Sequence, residues 1–208
     1  LNLKFKSSIS EAIEKAFKLY MPQEQEEITQ LAGFVHNLNP KVIVEIGTKN
    51  GGTFMVWNEV TKAQTISIDL IDGIHGGVDK EKTLNRNNKF KKLYGNRCSF
   101  IGGDSHNQST LDILIKTLNG KLIDFLFIDG DHTYEGVKQD FEMYKVLISS
   151  LVLMIDSIVK DNHILYYKLK ASMDKYGVFD SNFQKNQIAL INENNQATYQ
   201  LIKETKSS

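Results

Sequence analysis

A chain of 208 residues with 41% hydrophobic and 24% charged side chains can bury a full core and has the composition of a globular protein. Its 25 basic and 25 acidic residues cancel, which argues against a nucleic-acid groove or a face for anionic membranes. A single cysteine, Cys98, excludes an intrachain disulfide. With no signal-peptide pattern and no apolar run of the roughly 20 residues that span a bilayer, a reducing, cytoplasmic setting is expected. The whole length, 1–208, reads as one domain without repeats or linkers, with N-terminal helices over about 8–38 and an α/β core over about 41–202.

In chain order, Ile9, Ala12, Ile13, Ala16, Phe17 and Tyr20 fall on one helical stripe, with Ser8 or Ser10 as candidate N-caps. Ile28, Leu31, Ala32, Val35 and Leu38 mark a second helix over 24–38, ended by Pro40. The apolar run Val42-Ile43-Val44-Glu45-Ile46 then breaks at Gly47 and passes through Gly51-Gly52 into Phe54-Met55-Val56-Trp57. This is a strand, a tight glycine turn and a helix, the arrangement that brings backbone close to a ligand and aims helix N–H groups at it. The spacing is Glu-x-Gly-x-x-x-Gly-Gly rather than Gly-x-Gly-x-x-Gly. A carboxylate two residues before the first glycine repels a pyrophosphate but suits an ammonium group, so the expected ligand carries a nucleoside and an amino acid.

A second strand, Thr65–Leu70, ends in Asp69, about 20 residues past the turn, where doubly wound folds hold ribose hydroxyls. The loop Asp72–Gly77 carries three glycines and is a candidate cover for the pocket. Residues 80–97 read as a solvated helix anchored by Leu84, Phe90 and Leu93. A short strand at Cys98–Ile101 leads to Gly103-Asp104-Ser105-His106, with Asp104 or Ser105 placed to meet an adenine. Residues 108–118 form a helix with Leu111, Leu114, Ile115 and Leu118 inward. Ile123–Ile128 reads as a buried central strand, followed at once by Asp129-Gly130-Asp131-His132. Tyr134–Tyr144 is a helix covering the core through Val137, Phe141 and Tyr144. Leu151–Ile155 is another strand, ending in Asp156-Ser157, and a helix covers 163–176. Strands at 187–191 and 198–202 make a closing antiparallel hairpin.

The order of these motifs over about residues 24–202 resembles the class I S-adenosyl-L-methionine (SAM)-dependent methyltransferases. The wording of Ser67-Ile68-Asp69-Leu70, Gly103-Asp104-Ser105-His106 and Ile128-Asp129-Gly130-Asp131-His132-Thr133-Tyr134 is most similar to small-molecule O-methyltransferases of the cephalosporin-hydroxylase-like and macrolide-sugar kind. It is similar more distantly to the catechol and caffeoyl-CoA type. The resemblance implies a Rossmann-like, mostly parallel doubly wound sheet with a C-terminal antiparallel hairpin. It also implies Glu45, Gly47 and Gly51 at the methionine end of SAM, Asp69 at the ribose, and Asp104 with Ser105 at the adenine. Asp129 is implied at the cofactor and, with Asp156, as a magnesium ligand.

Two departures stand out: Ser157 replaces the asparagine of the metal-binding pattern, and Ser149-Ser150 replaces a glycine pair. For the chemistry, His132 is the candidate general base, since histidine exchanges protons near neutral pH, with Asp131 fixing its tautomer. His36, His75, His106 and His163 are expected at surfaces or pocket walls. The expected acceptor is a small molecule with a sugar or phenol hydroxyl, with no nucleic acid and no membrane as partner. A SAM-binding protein without turnover, a nicotinamide-dependent oxidoreductase and, more distantly, a metal-dependent hydrolase are the rival classes.

Overall fold

The computed structural model describes residues 3–23, 25–71, 78–155, 177–180 and 189–191. The chain divides into two compact units, Leu1–Lys121 and Leu122–Ser208. The expected loop at 72–77, Asp156 and Ser157, the helix at 163–176 and the strand at 198–202 lie outside the described residues.

The first unit opens with α1 (Leu3–Phe17) and α2 (Gln25–Leu38). Ile9, Ala12, Ile13 and Ala16 are buried as the stripe predicts. Ser8 and Ser10 are not caps, because the helix begins further upstream and runs through both. Tyr20 is also not a core residue: it is 86% exposed and sits beyond the helix with φ 57°. There its N–H bonds to Phe17 O at 3.0 Å and turns the chain outward. In α2, Ile28, Leu31, Ala32 and Val35 are buried. Asn39 closes the helix in the left-handed region (φ 50°) just before Pro40, as a residue tolerant of that conformation can.

Strand β1 (Val42–Ile46) is buried along its whole length, which its unbroken apolar run requires of a strand covered on both faces. It pairs in parallel with β2 (Gln64–Asp69), Glu45 lying opposite Ser67. That strand pairs in parallel with β3 (Cys98–Gly102), Asp69 lying opposite Gly102. Between β1 and β2, α3 (Gly52–Val60) is buried at every residue except Glu59 and packs against α1 and α2. The exposed Glu59 pairs with Lys15 of α1 at 2.7 Å. At this same C-terminal end of the helix, Arg97 donates to the carbonyls of Asn58, Thr61 and Ala63 at 2.5, 3.3 and 3.3 Å, a cation on the negative end of the helix dipole.

Helix α4 (Lys80–Tyr94) is capped by Asp79, which accepts from Lys82 N–H. Of its expected anchors only Phe90 is buried, edge-on to Phe54 with centroids 5.5 Å apart. Leu84 and Leu93 are 52% and 55% exposed, because α4 touches the unit along a narrow stripe. Helix α5 (Gln108–Leu118), capped by Asn107, buries Leu111, Leu114 and Leu118. Ile115 instead lies 45% exposed, for the same reason.

In the second unit, β4 (Ile123–Ile128) pairs in parallel with β5 (Ile148–Ile155), and β5 with β6 (Gly177–Asp180). The last described strand is β7 (Ala189–Ile191), antiparallel to β6. An antiparallel pair is therefore present, in which 189–191 lies beside Gly177–Asp180, a strand too short and too mixed in pattern to be read from sequence. Helix α6 (Tyr134–Tyr144) buries Val137, Phe141 and Tyr144 as expected. Ser149, standing where a glycine was expected, has a structural use: its hydroxyl reaches Ile123 O at 3.1 Å and Asp124 Oδ1 at 3.0 Å, spanning the register shift between β4 and β5.

Candidate active site

At the carboxyl end of β1 the backbone leaves the sheet through three left-handed residues in five. Gly47 has φ 87°, Lys49 48° and Gly51 87°. Gly47 N–H still bonds to Ile68 O at 2.9 Å, so the turn begins as the last rung of the β1–β2 ladder. Gly51 N–H to Thr48 O at 2.8 Å closes it, and α3 starts without a side-chain cap. Its first N–H groups are thus not satisfied by its own N-cap side chain.

Glu45 is fully buried beside this turn. Its Oε2 accepts from Trp57 Nε1 at 2.5 Å, while Oε1 is buried with no partner in good hydrogen-bond geometry. Burial pushes the carboxyl up to about 7, against the opposing pull of Trp57 and of the Thr48 and Thr53 hydroxyls. The Thr48 hydroxyl is itself bonded to Ser67 Oγ at 2.7 Å. A half-satisfied carboxylate out of water is costly to keep, and an ammonium group would relieve it.

Asp69, at the end of β2, is 9% exposed and paired with Arg86 Nη1 at 2.7 Å, Arg86 being 8% exposed. Burial raises the Asp69 carboxyl and the Arg86 guanidinium pulls it back down. The same Nη1 also donates to Lys49 O. Sequence reading missed Arg86 because nothing local distinguishes it from the other cations of α4.

The glycines have more than one duty. A Cβ on Gly51 would lie 2.6 Å from Phe90 Cε2, and one on Gly52 2.6 Å from Met21 Cβ. The Cα–H of Gly51 thus faces α4, so the sequence expectation that it lines the methionine end of the ligand rests on its backbone and not on an open face. Gly51→Ala combines a left-handed backbone with this overlap and is expected to lower stability by about 2 kcal/mol or more. A urea denaturation midpoint unchanged from wild type would contradict that packing.

Asp104 lies just past β3, on the same edge as Asp69, whose carbonyl accepts from Gly103 N–H at 3.0 Å. The Asp104 side chain is 60% exposed, and its Oδ1 accepts from His106 N–H at 2.9 Å. Ser105 is half-buried in the same turn. Glu45, Gly47, Gly51, Asp69 and the 104–105 turn all lie at or just past the carboxyl ends of adjacent parallel strands, the edge where such sheets bind ligands.

In the second unit, His132 Nε2 stands 4.0 Å from Asp129 Oδ1, His132 half exposed and Asp129 12% exposed. Asp131 Oδ1 accepts from Thr133 N–H at 2.8 Å, and Thr133 Oγ1 in turn caps α6 through Gly136 N–H at 3.1 Å. Asp131 thus contributes to the start of α6, and Asp129 is a near neighbour of His132 that sequence reading did not assign. Asp156 lies outside the described residues. Among the described residues no group of three or more His, Cys, Asp or Glu side chains could hold a metal ion, so the expected magnesium pair has no observed frame. No described helix is long and apolar enough to cross a membrane. A cavity of about 400 Å³ lined by His36, Asn39, Glu59, Thr61 and Lys62 lies at the C-terminal ends of α2 and α3. It contains none of the expected site residues.

A Rossmann-like α/β architecture with acids and a glycine turn at its strand ends defines the class I SAM-dependent methyltransferase fold. The chain belongs to a methyltransferase-domain family, whose model matches residues 44–158. An uncharacterized protein of Acanthamoeba polyphaga mimivirus is 36% identical over 102 residues, 49% of this chain and 43% of that protein. The chain thus covers less than half of that relative. The chain is also similar in structure to an S-adenosylhomocysteine (SAH)-bound methyltransferase of Podospora anserina, with TM-score 0.49 and 21% identity over 69% of this chain and 58% of that one. A trans-2-enoyl-CoA reductase of Clostridium acetobutylicum in complex with NADH has TM-score 0.50 and 11% identity over 79% of this chain and 64% of that one. A fold by itself does not fix a function; the assignment rests on the family match.

Proposed function

We propose that the protein transfers the methyl group of SAM to a hydroxyl of a small molecule, a sugar or a phenol being the acceptor classes that fit. The observation that carries this reading is Glu45, a buried carboxyl with one oxygen unpartnered at the mouth of a glycine turn, suited to an amino-acid ammonium and unsuited to a pyrophosphate. SAM, when bound, supplies a methyl carbon on a sulfonium that is open to in-line displacement. The chain's part is then to hold and orient. Glu45 takes the ammonium, the Gly47–Gly51 turn and the uncapped start of α3 take the carboxylate, Asp69 takes the ribose, and Asp104 with Ser105 takes the adenine.

From the second unit, Asp129 is assigned to the cofactor and His132 to the acceptor, removing the hydroxyl proton as general base. Asp131, next to His132 in the chain, is assigned to fix its tautomer and also accepts from Thr133 N–H at the start of α6. Calorimetric titration with SAH tests the donor site, and release of SAH from SAM across hydroxylated acceptors tests turnover. His132→Ala is expected to lower turnover by about 10²-fold or more while leaving SAH affinity unchanged; equal turnover removes His132 from the reaction. The same assay with a chelator present tests the magnesium expectation. A SAM-binding protein without turnover is the second reading, favoured by the structural use of Asp131 and Ser149. SAH binding with no turnover on any hydroxylated acceptor would select it.

A further inference from the structure

Helix α4 is solvated over most of its surface, yet Thr83, Arg86 and Phe90 turn inward from it. These positions are three and four residues apart and share one face of the helix. Through that face α4 touches the glycine turn and the adjoining strand end at three points. Arg86 Nη1 donates to Lys49 O within the turn and to Asp69 Oδ2 beyond β2. One helical turn later, Phe90 fills the space in front of Gly51. Burying a guanidinium is unfavourable unless it is paired and well placed. An apolar side chain would close the same surface without that cost, so packing alone does not explain an arginine here.

We infer that Arg86 is a positioning residue for the nucleoside end of the methyl-donor site, fixing the Asp69 carboxylate and the glycine turn relative to one another from the face of α4. This rests on the reading of Asp69 as the ribose acceptor. By engaging Oδ2, Arg86 orients the carboxylate, on which the Lys49 and Leu70 backbone N–H groups also act. It also keeps the group ionised where burial works against the charge. Among the described residues, Glu45 of β1 is a like-signed charge coupled to Asp69. The neighbouring strand β3, Cys98-Ser99-Phe100-Ile101-Gly102, brings no charged side chain. Arg86 is thus the cation that offsets both burial and Glu45.

The test is SAH titration calorimetry from about pH 5.5 to about pH 8 on the wild type, Arg86→Met, which keeps the apolar stem, and Arg86→Lys. It is paired with ¹³C NMR titration of the Asp69 carboxyl in ligand-free protein. Arg86→Met is expected to bind SAH roughly tenfold more weakly or worse, the ratio to wild type growing as pH falls, with part of the affinity restored in Arg86→Lys. The Asp69 carboxyl should titrate at higher pH in Arg86→Met. Equal affinity with parallel pH profiles overturns the inference. Tighter binding by Arg86→Met also overturns it, making Arg86 a plug that the ligand displaces. Where Arg86→Met fails to fold, Arg86→Gln, a donor without the charge, carries the same comparison. Failure of the wild type to bind SAH removes the donor site and this role with it, whereas wild-type binding with an unmoved Asp69 titration in the variant overturns the role of Arg86 alone.

Discussion

Asp69→Ala is expected to destabilise the folded protein by about 3 kcal/mol, in addition to weakening the ligand. The carboxylate and the Arg86 guanidinium are 2.7 Å apart and only 9% and 8% exposed. Removing one member of a buried pair leaves the other charge desolvated and uncompensated, which costs about 3–5 kcal/mol. The lower figure applies here because Arg86 keeps its bond to Lys49 O and has a flexible stem. Loss of affinity in Asp69→Ala therefore does not by itself report a lost ribose contact. Asp69→Asn separates the two effects: it keeps the shape and one acceptor oxygen while losing the charge and the second oxygen. Its affinity for SAH should fall by about 1–3 kcal/mol with a smaller loss of stability. Urea denaturation and calorimetry on both variants check this, and an Asp69→Ala protein as stable as wild type would contradict the buried pair.

Glu45→Gln is expected to act in the opposite direction on stability and to abolish binding. The Glu45 carboxyl ordinarily titrates at 4.5 and is raised to about 7 by burial. A carboxyl whose folded value lies above its unfolded one binds its proton more tightly when folded. The stability it contributes is full below about 4.5 and is lost as pH rises through about 7. The interval between those values, at about 1.36 kcal/mol per pH unit, comes to ~3 kcal/mol. A glutamine can still accept from Trp57 Nε1 and has an amide to offer Thr48 and Thr53, yet it carries no charge to desolvate. Near pH 8 the variant should be more stable than wild type by up to ~3 kcal/mol, with the advantage gone near pH 4. It should also fail to hold an ammonium group. Parallel stability profiles for the two proteins across this range would show that Glu45 is not under-satisfied.

The legible parts of the fold are those where local pattern and tertiary environment agree. The unbroken apolar runs of β1 and β4 announce strands covered on both faces, and the stripe of Leu111, Leu114 and Leu118 announces α5. What was not legible depends on partners distant in the chain. Periodicity gives the side of a helix that faces inward but not how wide a stripe is covered, so Leu84, Leu93 and Ile115 were assigned to a core they do not enter. Gly177–Asp180 is a strand because β5 and β7 pair with it, not because of its own residues.

The site divides along the same line. An acid before a glycine turn and an acid at the next strand end are visible as spacing, and they mark the sheet edge. That Glu45 is bonded to Trp57, twelve residues later, follows from α3 folding back over β1. That Asp69 is paired with Arg86 follows from how α4 docks, seventeen residues on. Asp131 beside His132 suggests a tautomer-fixing role by adjacency; that Asp131 Oδ1 also accepts from Thr133 N–H, and that Asp129 stands 4.0 Å from His132, depends on how the chain enters α6.

Trp57 is the only tryptophan of the chain, and its indole N–H points at the carboxylate on which the donor site turns. A single indole resonance in a ¹H–¹⁵N spectrum therefore reports on Glu45 without assignment of any other signal. Titration with SAH should move that resonance in a saturable way, at the same ligand concentrations that saturate calorimetric binding, as the ammonium draws charge onto the carboxylate. An indole signal that stays in place while SAH binds, or while SAH fails to bind at all, would contradict a methyl-donor site at Glu45.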